Sequence, residues 1–195
     1  HLDMTSAPSP ILHSRWRVPY LGSVLAAGAV VACPAEGVWG LSCNPFDEAA
    51  VRNLLDMKQR SVSKGLILVA ATSETFGEVL QGLPLDQQGE VLASWPGPHT
   101  WLVPHRGCYP PWVTGNTTEV AIRVTSAPAL SALCDTFGGP LVSTSANPAG
   151  LPPPHAMWEL RRYFGSALPA LPAAIDPAGK PSTIRRAGDG KVVRG

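Results

Sequence analysis

The chain has 195 residues, a formal net charge of +1 and 45% hydrophobic residues, with 19 glycines and 21 prolines. These values fit one loop-rich globular domain. They exclude a low-complexity chain, a small disulfide-built scaffold and a protein that binds nucleic acid through its overall charge. The longest apolar run, at 24–34, is too short and too rich in glycine and alanine to cross a bilayer. No basic segment precedes an apolar core near the N-terminus, so we expect no membrane partner and a cytoplasmic location.

The first residues differ in character from the rest. Residues 1–12 are polar and rich in proline, and the three residues before Met4 resemble a tag remnant. We expect 1–12 to be a tag remnant and a disordered N-terminus. The remainder has no internal repeat and no linker-like segment, so we expect residues 13–195 to form a single domain.

Patterns typical of helices and of strands alternate along this domain. Asp47 is a favourable N-cap for one of the helices. The predicted helices are 14–27, 49–58, 75–81, 86–94, 128–137 and 155–164. The predicted strands are 29–33, 38–43, 66–69, 100–103, 120–124, 141–143, 182–185 and 191–194, with a loop or hairpin at 104–118. This alternation predicts an α/β fold.

The segment STSAN at 143–147 follows an apolar strand-like run. Three hydroxyls and an amide at a strand tip, with the backbone N–H groups beside them, are suited to an anion or a nucleotide. The alternative is a strand end whose hydroxyls bond their own backbone.

A cluster of cations, Lys58, Arg60 and Lys64, lies where a predicted helix ends. Cations at a helix C-terminus compensate its dipole, which is the simpler interpretation. The functional interpretation is a clamp for a triphosphate.

Two charged residues lie in apolar surroundings. Arg123 is near the end of an apolar strand, where an unpaired charge is unfavourable. It pairs either with a structural carboxylate or with the carboxylate of a substrate. Glu36 is either a ligand-binding residue or a group that fixes its loop by accepting backbone hydrogen bonds.

The four cysteines and five histidines show no metal-ligand spacing. We expect free thiols, no protein metal site and no catalytic histidine.

Six stretches, in order, resemble the YrdC/TsaC family of bacterial threonylcarbamoyl-AMP synthases. They are CPAEGVWGLSCNP (33–45), LLDMKQRSVSKGLILVAA (54–71), WPGPHTWLVP (95–104), VAIRVTSAP (120–128), GGPLVSTSANPAGLPP (138–153) and PSTIRRAGDGKVVRG (181–195). The resemblance implies one YrdC-like α/β domain, with a twisted sheet of mixed parallel and antiparallel strands and helices around a concave basic cavity. It also implies a nucleotidyltransferase that makes threonylcarbamoyl-AMP and pyrophosphate from L-threonine, bicarbonate and ATP. Partner proteins would transfer the threonylcarbamoyl group to adenosine 37 of tRNA as t6A, and weak direct tRNA binding is compatible with that role.

The resemblance assigns roles to ten residues. ATP would be held by Lys58, Arg60, Lys64, Ser145, Asn147 and Arg194, of which the first two would be catalytic. Threonine would be bound by Ala35, Arg123, Ser143 and Ser182. Position 35 departs from the family pattern, which has threonine there, so backbone or water would replace the hydroxyl contact. Mg²⁺ would enter with ATP, because the sequence offers no carboxylate cage.

Two other hypotheses stay open. An RNA-binding or ribosome-assembly module could use the same basic cavity as a groove for a nucleic-acid backbone. It predicts steeply salt-dependent RNA binding without ATP turnover. A degenerate relative would bind nucleotide without turning it over, and Ala35 is the residue that keeps this hypothesis open.

Overall fold

One mixed sheet organises the computed structural model, which describes residues 10–176 and 179–194. Within this part of the chain, the strands are β1 (Val31–Pro34), β2 (Trp39–Cys43), β3 (Ile67–Ala70), β4 (His99–Pro104), β5 (Glu119–Val124), β6 (Leu141–Ser145), β7 (Thr183–Arg186) and β8 (Val192–Arg194). The helices are α1 (Pro10–Ala26), α2 (Glu48–Lys58), α3 (Gly77–Leu80), α4 (Leu85–Ala93), α5 (Pro111–Thr114), α6 (Pro128–Phe137) and α7 (Met157–Phe164). No helix of the described residues is long and apolar enough to cross a membrane.

The strand order is β1-β2-β6-β3-β5-β4-β7-β8. Two neighbouring pairs are parallel, β3 with β5 and β4 with β7, and the other five pairs are antiparallel. The predicted α/β class with a mixed sheet is confirmed.

Alternate side chains of the central strands enter two different cores. In β3, Val69 packs with α1 and α6 on one face, whereas Leu68 and Ala70 join the larger cluster on the other face. In β6, Leu141 and Val142 divide in the same way. Side chains of a strand point alternately to the two faces of the sheet, and both faces of these strands are apolar. Helices can therefore pack on both faces of the sheet.

One strand in the middle of the sheet begins late. β3 starts at Ile67, opposite Ala121 of β5 and Ser143 of β6. Both neighbours continue past that point, β5 with residues 119–120 and β6 with residues 144–145. Because β3 is parallel to β5 and antiparallel to β6, both overhangs lie at the same end of the sheet. They bound an opening that we call the notch.

Most predicted elements are present with shifted ends, and one shift affects the site. The predicted strand tip at 143–147 is partly a strand, because β6 continues through Ser145, which pairs with Gly40 of β2. Pairing on that one side is enough to keep the hydroxyl residues extended. The hydroxyls therefore line the notch from a strand edge rather than from a loop.

Two further differences concern the N-terminus and the loop before β5. Helix α1 begins at Pro10, four residues before its predicted start, and so takes in the last three residues of the segment expected to be disordered. Residues 1–9 of that segment lie outside the described residues. The predicted loop at 104–118 contains the short helix α5, which Pro111 begins at a position where its missing N–H is tolerated.

The predicted N-cap of α2 is confirmed, and it provides a stability test. The Asp47 carboxylate accepts a hydrogen bond of 3.2 Å from the backbone N–H of Ala50. Asp47→Ala should lower the free energy of unfolding by about 1 kcal/mol, because one N–H of the first turn loses its partner. Urea unfolding measures this change. Asn53→Ala, on the exposed side of the same helix, is the control, and an equal loss there would contradict the cap.

Candidate functional site

A cavity of about 790 Å³ opens at the notch. It is lined by the loop between β1 and β2, the segment from α2 to β3, the end of β6 and the C-terminal strands β7 and β8. All ten residues singled out from the sequence line it: Ala35, Lys58, Arg60, Lys64, Arg123, Ser143, Ser145, Asn147, Ser182 and Arg194. Five of the ten are cations. Among the described lining residues, the only carboxylates are Glu36 and Glu119. The fold thus brings the two sets of predicted residues, far apart in sequence, into one space.

Lys58 is the last residue of α2 and is buried, with 6% of its surface exposed. Its ammonium donates hydrogen bonds to the backbone carbonyls of Ser145 and, at 3.1 Å, Asn147. Burial, followed by the charge of Arg60, lowers the pKa of Lys58 to about 8. With two of its three protons committed to carbonyls, the ammonium has one left for a ligand.

Arg60 keeps a donor free. Its Nη2 donates to the carbonyl of Gly65 at 3.0 Å, whereas its buried Nε has no hydrogen-bond partner among the described residues. Burial, followed by the charge of Arg194, lowers the pKa of Arg60. Gly65 has φ of +73°, and a Cβ there would lie 3.0 Å from the carbonyl of Thr114. The chain therefore needs glycine to make the turn that Arg60 holds.

The other members of the ATP set differ in how they are held. Lys64 is exposed on a short turn of 3₁₀ helix. The Asn147 amide donates to the carbonyl of Leu151 at 2.8 Å, and its buried Oδ1 lacks a partner within residues 10–176 and 179–194. Arg194, on β8, reaches the carbonyl of Ser182 with an N–O distance of 3.5 Å.

The structure answers the question left open for Arg123. This arginine is buried, and its Nη2 lies 3.1 Å from Oε2 of Glu36, so its partner is a structural carboxylate. The hydroxyl of Thr125 donates to the other oxygen of Glu36. Burial lowers the pKa of Arg123, and the Glu36 charge opposes that shift. Nε of Arg123 is buried without a hydrogen-bond partner in the described structure, while the residue as a whole lines the cavity.

The other terminal nitrogen of the Arg123 guanidinium, Nη1, donates hydrogen bonds to two hydroxyls. Nη1 donates to Thr100 and to Ser182, each at 3.1 Å, and the two hydroxyl oxygens lie 2.9 Å apart. Sequence reasoning found Ser182 but missed Thr100. The available signal in the sequence was an uncharged polar residue directly before the apolar run 101–103, which is weak on its own.

The other two residues of the predicted threonine set also line the cavity. Ser143 is buried in β6 opposite Ile67. Ala35 follows β1, where its N–H donates to the carbonyl of Val38 at 3.0 Å and closes the turn that carries Glu36. The methyl group of Ala35 lines the cavity without offering a hydrogen bond.

The remaining candidate groups are possible metal ligands and the cysteines. Residues 10–176 and 179–194 contain no group of three His, Cys, Asp or Glu side chains placed to hold a metal ion. The four cysteines are free, as predicted, and three of them are buried. Burial raises the pKa of Cys43 and of Cys134 to about 12, which disfavours their thiolates at neutral pH.

The chain matches a known protein family over most of its length. Residues 23–194 match the Sua5/YciO/YrdC family model, described as "Telomere recombination". The chain is 49% identical over 181 residues to the threonylcarbamoyl-AMP synthase of Cellvibrio japonicus, covering 91% of this chain and 95% of the relative. It is 47% identical to the enzyme of the same name from Stutzerimonas stutzeri, covering 92% and 97%.

A solved structure shows the same fold. P. abyssi Sua5 complexed with L-threonine superposes with a TM-score of 0.82 at 24% identity, over 96% of this chain. This chain spans 54% of the length of that Sua5 chain. At this identity the match supports the architecture, and the ligand belongs to the relative.

The ion pair between Glu36 and Arg123 yields a second stability test. Glu36→Ala should lower the free energy of unfolding by about 3 kcal/mol, because a buried guanidinium loses its counter-charge. Glu48→Ala removes the carboxylate of an exposed pair with Arg52, so it should cost less than about 1 kcal/mol. Urea unfolding of both variants measures the difference, and equal losses would contradict a buried, stabilising role for Glu36.

Proposed function

The chain belongs to the Sua5/YciO/YrdC family, and from this membership we propose that it is a threonylcarbamoyl-AMP synthase. It makes threonylcarbamoyl-AMP and pyrophosphate from L-threonine, bicarbonate and ATP. In the cell, partner proteins pass the threonylcarbamoyl group to adenosine 37 of tRNA. We assign the enzyme to the nucleotidyltransferases, since an adenylyl group is transferred, and place it in the cytoplasm with its tRNA pathway.

The observation that carries this proposal is a single cavity with two chemically different walls. One wall holds the cation cluster and Arg194, whose charges suit a polyphosphate. The other holds Arg123 with Ser143 and Ser182, which offer donors to a carboxylate. The end of β6 lies between the two walls, so the substrates would meet beside Ser145.

On the first wall, Arg60, Lys64 and Arg194 contact the phosphates of ATP. The unpartnered Nε of Arg60 is a buried donor that a phosphate oxygen would satisfy. The unpartnered Oδ1 of Asn147 would accept a hydrogen bond from an amino or hydroxyl group of the nucleotide. Lys58 contributes its remaining N–H and its charge, and it also holds the carbonyls of the Ser145–Asn147 turn.

On the second wall, the threonine carboxylate lies beside the charge of Arg123 and against the hydroxyls of Ser143 and Ser182. The neutral amine then faces the end of β6, where its nitrogen bonds to the carbon of bicarbonate, a C–O bond of bicarbonate breaks and water leaves, so that the carbamate forms. The resulting carbamate oxygen attacks the α-phosphorus, the bond from that phosphorus to the bridging oxygen breaks, and pyrophosphate leaves. The groups that the protein offers at this cavity are cations and hydroxyls, so it contributes positioning and neutralisation of developing charge.

Mg²⁺ fits this site as the counter-ion of ATP. Both carboxylates that line the described cavity are committed to arginines, Glu36 to Arg123 and Glu119 to Arg186 at 3.0 Å. The triphosphate and water would therefore supply most of its ligands, and the ion would neutralise phosphate charge.

Pyrophosphate release tests the proposed reaction. Release by the purified protein should require both L-threonine and bicarbonate, and Arg60→Ala should reduce it by on the order of 10²-fold because a transition-state charge contact is lost. Arg52→Ala, an exposed arginine of α2 outside the cavity, should leave the rate unchanged. Pyrophosphate release that does not depend on threonine would contradict the proposed reaction. RNA binding without ATP turnover would favour the RNA-binding or ribosome-assembly function instead.

The lowered pKa of Lys58 predicts a pH dependence of ATP binding. The ammonium loses its proton as pH rises through about 8, so the charge that favours phosphate is lost above that value. Affinity for a non-hydrolysable ATP analogue, measured by calorimetry without threonine, should fall on the order of tenfold between about pH 7.5 and pH 9.5. Lys58→Arg keeps its charge over this range, so its affinity should stay nearly constant. The same decline in the arginine variant would show that another group is responsible.

A further inference from the structure

The hydroxyl of Thr100 has a defined direction. Thr100 is fully buried, and within the described chain its hydroxyl has two hydrogen-bond partners, Nη1 of Arg123 and Oγ of Ser182. Arginine can only donate, so the Thr100 oxygen accepts from it. The Thr100 proton must then go to Ser182, because a buried hydroxyl proton without an acceptor would cost about 1–3 kcal/mol.

This direction fixes what Ser182 can do. Its oxygen accepts two hydrogen bonds, one from Thr100 and one from Arg123. Its own proton has no acceptor in residues 10–176 and 179–194, and Ser182 lines the cavity whereas Thr100 does not. The only place left for that proton is a ligand or water in the cavity.

We propose that Thr100 is a positioning residue for the amino-acid substrate, because it keeps the Ser182 hydroxyl pointing its proton into the cavity. This hydroxyl would offer a donor to the carboxylate of an α-amino acid, beside the positive charge of Arg123. The inference rests on the proposed function, and it adds a residue that touches none of the three substrates. A threonine that only filled space in the core would lack this connection to Ser182.

The test is a double-mutant cycle on the KM for L-threonine. Ser182→Ala removes the donor, so KM should rise on the order of tenfold. Thr100→Val keeps the shape of the side chain and removes its proton, so KM for threonine should rise about fivefold, with KM for ATP and kcat near native. Because Thr100 acts through Ser182, the double variant should be no worse than Ser182→Ala alone.

Conservative and distant variants complete the design. Thr100→Ser retains the hydroxyl and should restore the native KM for threonine. Thr118→Val, an exposed threonine outside the cavity, should have native constants. Thermal unfolding is measured for every variant. Should the valine variant fail to fold, Thr100→Cys, with a weak S–H donor, takes its place in the same cycle.

The outcomes separate the inference from the function. A native protein whose pyrophosphate release does not depend on threonine would overturn the proposed function and the inference with it. An active native protein, with a Thr100→Val variant of native KM for threonine, would overturn the inference alone. Additive effects of the two substitutions on KM for threonine would also overturn the inference alone. A rise of KM for ATP as large as that for threonine would do the same.

Discussion

The late start of β3 is the constraint on which the site depends. A strand that begins beyond its neighbours leaves two edges inside the sheet without a partner, and their backbone groups still need hydrogen bonds. Lys58 provides them on one side, because its ammonium bonds the carbonyls of Ser145 and Asn147 while its own carbonyl accepts from the N–H of Ala149. One residue at the end of α2 therefore holds the notch open and brings a positive charge into it.

The second wall depends on a charge that the fold buries. Moving a guanidinium out of water is unfavourable, and Glu36 with two hydroxyls compensates for it. The compensation is incomplete, since Nε of Arg123 has no hydrogen-bond partner among the described residues. A network that brings the positive charge of Arg123 and the hydroxyl of Ser182 to a cavity favours an anion there. The hydrogen bonds of Arg123 therefore connect the packing of β4, β5 and β7 with the proposed binding of a carboxylate.

The sequence predicted the elements better than the contacts. Helix α6 and the N-cap Asp47 were predicted with their observed positions, because proline, aspartate and glycine mark helix ends locally. The extension of β6 through Ser145 was not, because it depends on pairing with β2, about a hundred residues earlier in the chain. Hydroxyl residues favour turns by themselves, and here the sheet overrides that preference.

The same limit applies to the site. All ten residues were placed at the cavity from resemblance to a family, and their types and spacing alone would not have joined them. The burial of Lys58 between two carbonyls and the pairing of Arg123 with Glu36 both depend on which strands become neighbours. Thr100 carries only a weak local signal, since its role arises from the hydrogen bonds that β4 and the segment before β7 bring together.

Electrostatic repulsion connects the two walls of the cavity. Besides burial, the charge of Arg194 lowers the pKa of Arg60 on one wall and of Arg123 on the other, and Arg194 also bonds the backbone carbonyl of Ser182 on the second wall. This repulsion adds to burial in disfavouring the charged forms of Arg60 and Arg123. A polyphosphate between Arg60 and Arg194 would relieve it on the first wall and lower the positive potential at Arg123. The charge that attracts the carboxylate would then be weaker with ATP bound, which makes the neutral donor of Ser182 more important for holding threonine in the complete complex.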